Sequence, residues 1–263
     1  MNQAKASLES QFGDEICAVG DSEEMFWLRE ADDYQSKVLL GNALSSQYRF
    51  RDAIDIFEEA SCIRANDPML YIRLGGAYLT LFKFEKAFKA YNHALTLGAN
   101  LKSTAYPLGV WHYLKGSYTS AAEYFSSCLP CDDELKIAVI YWHTLCCLRA
   151  KTEPFLLTDY NNNMDVGHHT AYLLAVSVFT GEVCVNSATE ELANEKNDLN
   201  YIIAAYGICE HLSSAGKAEE KNMLIKSLLK RNKAWPCISY LAAYKDEINK
   251  TDPFSTTHSI REF

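Results

Sequence analysis

The chain has 263 residues, 48% hydrophobic and 12% aromatic, which is ample for a buried core and too apolar for a disordered chain. Its 12 Gly and 6 Pro are fewer than a turn-rich all-β chain of this length needs, so the composition predicts helices. Against 34 acidic residues stand only 25 basic ones, a net charge of −9, which argues against nucleic acid as a partner because phosphate affinity comes from clustered positive charge.

In chain order, residues 1–21 lack a continuous apolar run and carry Glu9, Asp14 and Glu15. They are expected to be a mobile N-terminus and not a secretory signal. Met25, Phe26, Trp27 and Leu28 follow, an apolar cluster that predicts a helix covering the first face of what comes next. Three segments then align without a gap: 40–61, 74–95 and 108–129. Leu40, Leu74 and Leu108 are 34 apart, as are Gly41, Gly75 and Gly109. Phe50, Phe84 and Tyr118 repeat at the same interval, as do Ala53, Ala87 and Ala121, then Phe57, Tyr91 and Phe125.

Within each segment the apolar residues step by three and four, the period of helix faces. Two helices per segment are predicted, with Gly and Ala where their backbones approach and aromatics filling the space beside them. Each such hairpin leaves an apolar face uncovered, so hairpins must stack.

The spacing resembles the tetratricopeptide repeat family, whose pattern runs W-x2-L-G-x2-Y, then A, then F/Y, then A. The resemblance covers about residues 34–135. The aromatic expected three before Leu-Gly is kept at Tyr71 but is Lys37 in the first repeat and Ala105 in the third, and the turn proline is displaced to Pro68. The fold implied is all-α, a solenoid of antiparallel helix hairpins forming a superhelix. In this family the first helix of each repeat lines a concave, peptide-binding groove. Carried over by position, the groove residues are Val38, Asn42 and Ser45 with Ser46, then Ile72, Gly76 and Leu79 with Thr80, then Tyr106, Val110 and Tyr113 with Leu114. One subclass grips terminal carboxylates of heat-shock chaperones with Lys, Asn and Arg on these helices. Here only the asparagine, Asn42, survives; Val38 takes the lysine position. The resemblance therefore implies a groove for an apolar segment, extended or helical, similar in character to that of type III secretion translocator chaperones.

Downstream the register decays. Residues 136–149 begin a fourth first-helix in which Trp142 and His143 replace Leu-Gly, and residues 160–169 (YNNNMDVGHH) predict a loop. Helices are expected at 170–179 and around 186–195, and a hairpin at 200–212 and 217–231, where Tyr206-Gly207 mimics Leu-Gly. A capping helix is expected at 235–249. The organisation expected is a mobile end at 1–21, three repeats with a leading helix at 22–135, degenerate helical repeats and a cap at 136–250, and a mobile tail at 251–263. No run of 18 uncharged apolar residues exists, so no membrane insertion is expected. The basic stretch 226–233 falls at a helix end, where the dipole favours it.

Nine cysteines scattered from Cys17 to Cys237 without framework spacing predict free thiols in a reducing, cytoplasmic setting. Cys128 and Cys131 form a C-x-x-C pair, and with His143 and Cys146 they offer a zinc-like spacing. Cys128, however, falls in the small-residue column of Ala60 and Ala94, and Cys146 in a core column, so packing explains both and no metal or cofactor is expected. His168 and His169, beside Asp165, are expected to be solvated. Trp111, standing where Ala43 and Ala77 sit, is expected to contact the irregular fourth unit. The residues thus point to a non-enzymatic binding scaffold or chaperone-like adaptor for a protein segment, with self-association to a homodimer left open. The alternative is an enzyme or regulatory subunit with a thiol or zinc site in the irregular C-terminal half.

Overall fold

A computed structural model describes residues 22–251. The mobile ends expected at 1–21 and 251–263 fall, Thr251 apart, outside the described residues. Among the described residues there are thirteen α-helices, two 3-10 turns and no strand. They divide into two compact units after Lys115, and no helix among them is long and apolar enough to cross a membrane.

The first unit holds α1 (Glu23–Glu30), α2 (Tyr34–Ser46), α3 (Phe50–Ile63), α4 (Pro68–Thr80), α5 (Phe84–Thr96) and α6 (Leu101–Lys115). The starts of α1, α2 and α4 are capped by side chains, those of α3 and α5 are not. Ser22 accepts from the Met25 amide at 3.2 Å, Asp33 from Ser36 at 3.0 Å and Asp67 from Met69 at 2.8 Å, satisfying amides that the first turn leaves open. Pro68 occupies the first turn of α4, where its missing N–H costs nothing. The helices α2 and α4 end alike. Tyr48 (φ 64°) and Phe82 (φ 57°) turn left-handed, and the Arg49 and Lys83 amides each reach back 2.9 Å to the carbonyls of Leu44 and Tyr78. That bond, from the second residue past the C-cap residues Gln47 and Leu81, is the Schellman cap.

Two hairpins follow, α2 with α3 and α4 with α5, and α6 packs on both α4 and α5. Leu40, Leu74, Leu108, Ala53, Ala87, Ala60 and Ala94 are all buried. A Cβ on Gly41 would stand 2.3 Å from the Phe57 ring, and one on Gly75 2.3 Å from the Tyr91 ring. The glycine column therefore lets each aromatic lie flat against the opposing backbone. In α1, Met25 is buried and takes a hydrogen bond from Gln47 at 3.2 Å, whereas Phe26 and Trp27 are exposed. Trp111 turns back onto α5: its indole N–H donates to the Phe84 carbonyl at 2.8 Å and its ring stacks on Phe88, centroids 4.6 Å apart. A ring in the place of Ala43 and Ala77 thus reaches the preceding helix directly.

The second unit holds α7 (Tyr118–Ser126), α8 (Asp133–Ala150), a 3-10 turn (Phe155–Asp159), α9 (Thr170–Thr180), α10 (Val185–Asn194), α11 (Asp198–Ser214), α12 (Ala218–Leu229) and α13 (Ile238–Thr251). Its centre is α11, which packs on α8, α9, α10, α12 and α13 and is buried throughout 201–210. Gly207 is a close-approach glycine, but toward other helices than in the Leu-Gly pattern: a Cβ there would lie 2.7 Å from both Ala175 Cβ of α9 and the Tyr141 ring of α8, whereas Gly41 and Gly75 face the helix that follows them. Tyr141 in turn donates to the Ile203 carbonyl at 2.8 Å. One charged cluster crosses this core. Arg149 of α8 pairs with Glu210 of α11 and Asp246 of α13, and donates to the hydroxyls of Tyr206 and Tyr118 at 3.3 and 3.4 Å. At the closing helix, Trp235, Tyr240 and Leu241 are fully buried.

Candidate functional site

The first helices of the repeats in the first unit, α2, α4 and α6, carry every predicted groove position. Burial divides those positions, and differently on each helix. Val38, Leu79, Val110 and Tyr113 are buried, as are Thr80 and Leu114, while Asn42, Ser45, Ile72, Gly76 and Tyr106 are partly open and Ser46 is exposed. Ser45, Ser46 and Thr80 each spend their hydroxyl on the carbonyl four residues back, at 2.9 to 3.0 Å, which removes polar demand from this side of the helices.

Gly76 decides the shape of the face. Nothing lies within 4 Å of the place its Cβ would take, although Gly75 beside it faces the Tyr91 ring at 2.3 Å. Two adjacent glycines thus serve opposite sides of α4, one for hairpin packing and one over open space. Ile72 sits one turn before Gly76, and Tyr106 holds the same register on α6. The open positions are a hydroxyl-satisfied, apolar strip with one amide, Asn42. Such a strip suits a nonpolar side-chain row more than a charged terminus.

The thiol and zinc alternative fares differently. Burial pushes the Cys128 thiol up to about 11, with the nearby Cys131 adding to it, the reverse of an activated nucleophile. Cys146 is wholly buried and its thiol is raised further by burial. His143, also wholly buried, is pushed down to about 4 by burial and lies 3.8 Å from Cys147 Sγ on its own helix. The Cys128, Cys131, His143 and Cys146 set does not come together among the described residues. The three potential ligands that do are Glu134, His168 and His169. The expectation that the histidine pair is solvated holds for His168, whose side chain is exposed, while His169 is half-buried; both rings also reach α8. No spacing could have signalled it, since Glu134 lies a whole helix and loop away in the chain.

Helix hairpins in a 34-residue register, with glycines seated on aromatic rings, make a helical repeat fold that resembles the tetratricopeptide type. No family model matches the chain. It is similar to the peroxisomal targeting signal receptor of Candida glabrata, 30% identical over 101 residues that cover 38% of this chain and 17% of the receptor. To the receptor of the same description from Saccharomyces cerevisiae it is 31% identical over 97 residues, 37% of this chain and 16% of that one. The chain thus spans about a sixth of the length of these curated relatives. Among solved structures it is similar to YrrB, described as a TPR protein with an unusual peptide-binding site, at 12% identity and a TM-score of 0.46, covering 86% of this chain and 98% of that one.

Proposed function

We propose that the chain is a non-enzymatic, cytoplasmic adaptor that holds an apolar segment of a partner protein against α2, α4 and α6. The observation that carries the reading is the open space over Gly76, with the partly open Ile72 one turn before it on α4 and the partly open Tyr106 at the equivalent register on α6. A nonpolar side chain of the partner fills that space, and Tyr106 supplies contact area at small entropic cost. Three or four such contacts give micromolar affinity.

The two relatives are named as receptors for a peroxisomal targeting signal, so peptides ending in such a signal, for example Ser-Lys-Leu, belong in the test beside internal apolar segments. Fluorescence anisotropy with each peptide as free acid and as C-terminal amide separates the two ligand types. Because Val38 stands where a clamping lysine would, acid and amide forms are expected to bind alike, with the apolar segment favoured. Gly76→Trp, which fills the open space, should weaken binding at least about tenfold, and Tyr106→Ala about as much. Unchanged affinity in Gly76→Trp, with circular dichroism intact, would place the ligand elsewhere and end this reading.

A further inference from the structure

The loop that runs from the 3-10 turn to α9 closes onto the first turn of α8. His168 Nδ1 lies 2.7 Å from Glu134 Oε1, and His169 Nδ1 lies 2.7 Å from the Glu134 carbonyl oxygen. The two imidazole rings are 4.6 Å apart, edge to face. One ligand atom from each of Glu134, His168 and His169 lies within 4.8 Å of the other two. We propose that these three side chains form a binding site for a zinc-class divalent cation.

Four features support it. The donor set, two imidazole nitrogens and one carboxylate, suits zinc and its neighbours. The bond to a main-chain carbonyl makes His169 Nδ1 the protonated nitrogen and leaves Nε2 with its lone pair, the arrangement that orients ligating histidines. Gly167, at φ +52°, allows the close approach: a Cβ there would stand 3.0 Å from Glu134 Oε1. Finally, the two histidines line a cleft of about 290 Å³ with Tyr172, Ile203 and Ile238, which leaves room for water or a further ligand in the remaining position. Donor atoms around tetrahedral zinc are about 3.3 Å apart, so the wider separations in the cluster must close while the 2.7 Å contact of His168 Nδ1 with Glu134 Oε1 opens as the metal replaces the hydrogen bond. His168, whose side chain is 84% exposed, is free to swing inward.

The test uses the whole chain after chelator treatment. Co2+ is added while visible absorption is followed, and Zn2+ is titrated by calorimetry. One equivalent should bind without a thiolate-to-cobalt charge-transfer band. His169→Ala and Glu134→Gln should each weaken binding by at least about tenfold, and Cys128→Ser with Cys131→Ser should leave it unchanged. Circular dichroism without metal verifies folding. If His169→Ala fails to fold, His168→Ala carries the test, since its exposed ring supports no core. Binding only above millimolar metal, a thiolate band, or wild-type affinity in the His168→Ala/His169→Ala/Glu134→Gln variant would reduce the cluster to a hydrogen-bonded strap and overturn the proposal.

Discussion

Gly75 and Gly76 are neighbours on one helix with the same intrinsic cost, since each gives up about 0.5–1 kcal/mol of helix stability relative to alanine. Only their surroundings differ. Gly76→Ala adds its methyl to open space and should stabilise by up to about 1 kcal/mol. Gly75→Ala drives a methyl into the Tyr91 ring, and should destabilise by about 2 kcal/mol despite the same helical gain. Urea denaturation of the two variants measures the contrast, and equal midpoints would refute it. His143 gives a second prediction. Burial lowers its folded value to about 4 from the ordinary 6.5, so the unfolded chain binds the proton first as pH falls. Stability is therefore lost from about pH 6.5 downward and levels off below about pH 4, roughly 3 kcal/mol in all. His143→Leu removes this component. The wild type should lose more stability than the variant between pH 7 and 4.5, and parallel losses would show that the ring titrates freely.

At the level of helices, the regular hairpins were legible because their columns are amphipathic: Leu40 and Gly41 face a partner helix while Leu39 is exposed. The burial of α8 and α11 was harder to read. All of Ile137–Cys147 on α8 is buried, so apolar residues surround the helix and no period marks a preferred face. The partners of Arg149 were equally hidden, lying on α11 and α13, far along the chain. Bringing that guanidinium out of water is tolerable only because Glu210 and Asp246 compensate it. Arg149→Met leaves Glu210, 2% exposed, with Lys221 at 3.5 Å as its remaining ion pair, and should cost about 3 kcal/mol. Adding Glu210→Gln should recover part of the loss by removing the stranded charge. Thermal unfolding decides this, and a single variant as stable as wild type would show the cluster to be neutral.

At the level of the molecule, the chain carries −9, yet the open members of the proposed binding strip, Asn42, Ser45, Ile72, Gly76 and Tyr106, include no side chain charged at neutral pH. Peptide binding there should accordingly be insensitive to salt, with the dissociation constant changing less than about twofold between 50 and 500 mM, since screening acts on charges. A steep salt slope would assign recognition to the acidic surface. The helical register of these positions could be read from the 34-residue spacing, but the depth of each could not: Val110 and Tyr113 are buried where Tyr106 stays partly open, a distinction set by neighbouring helices. One detail of the turns reaches beyond binding. The bends after α2 and α4 are closed by main-chain bonds at Arg49 and Lys83, so the elbow asks of the letters around it only that Tyr48 and Phe82 accept a left-handed φ. A duplicated cassette spliced in after Gly98 would bring its own elbow, and the array could grow by whole modules without inventing a new joint.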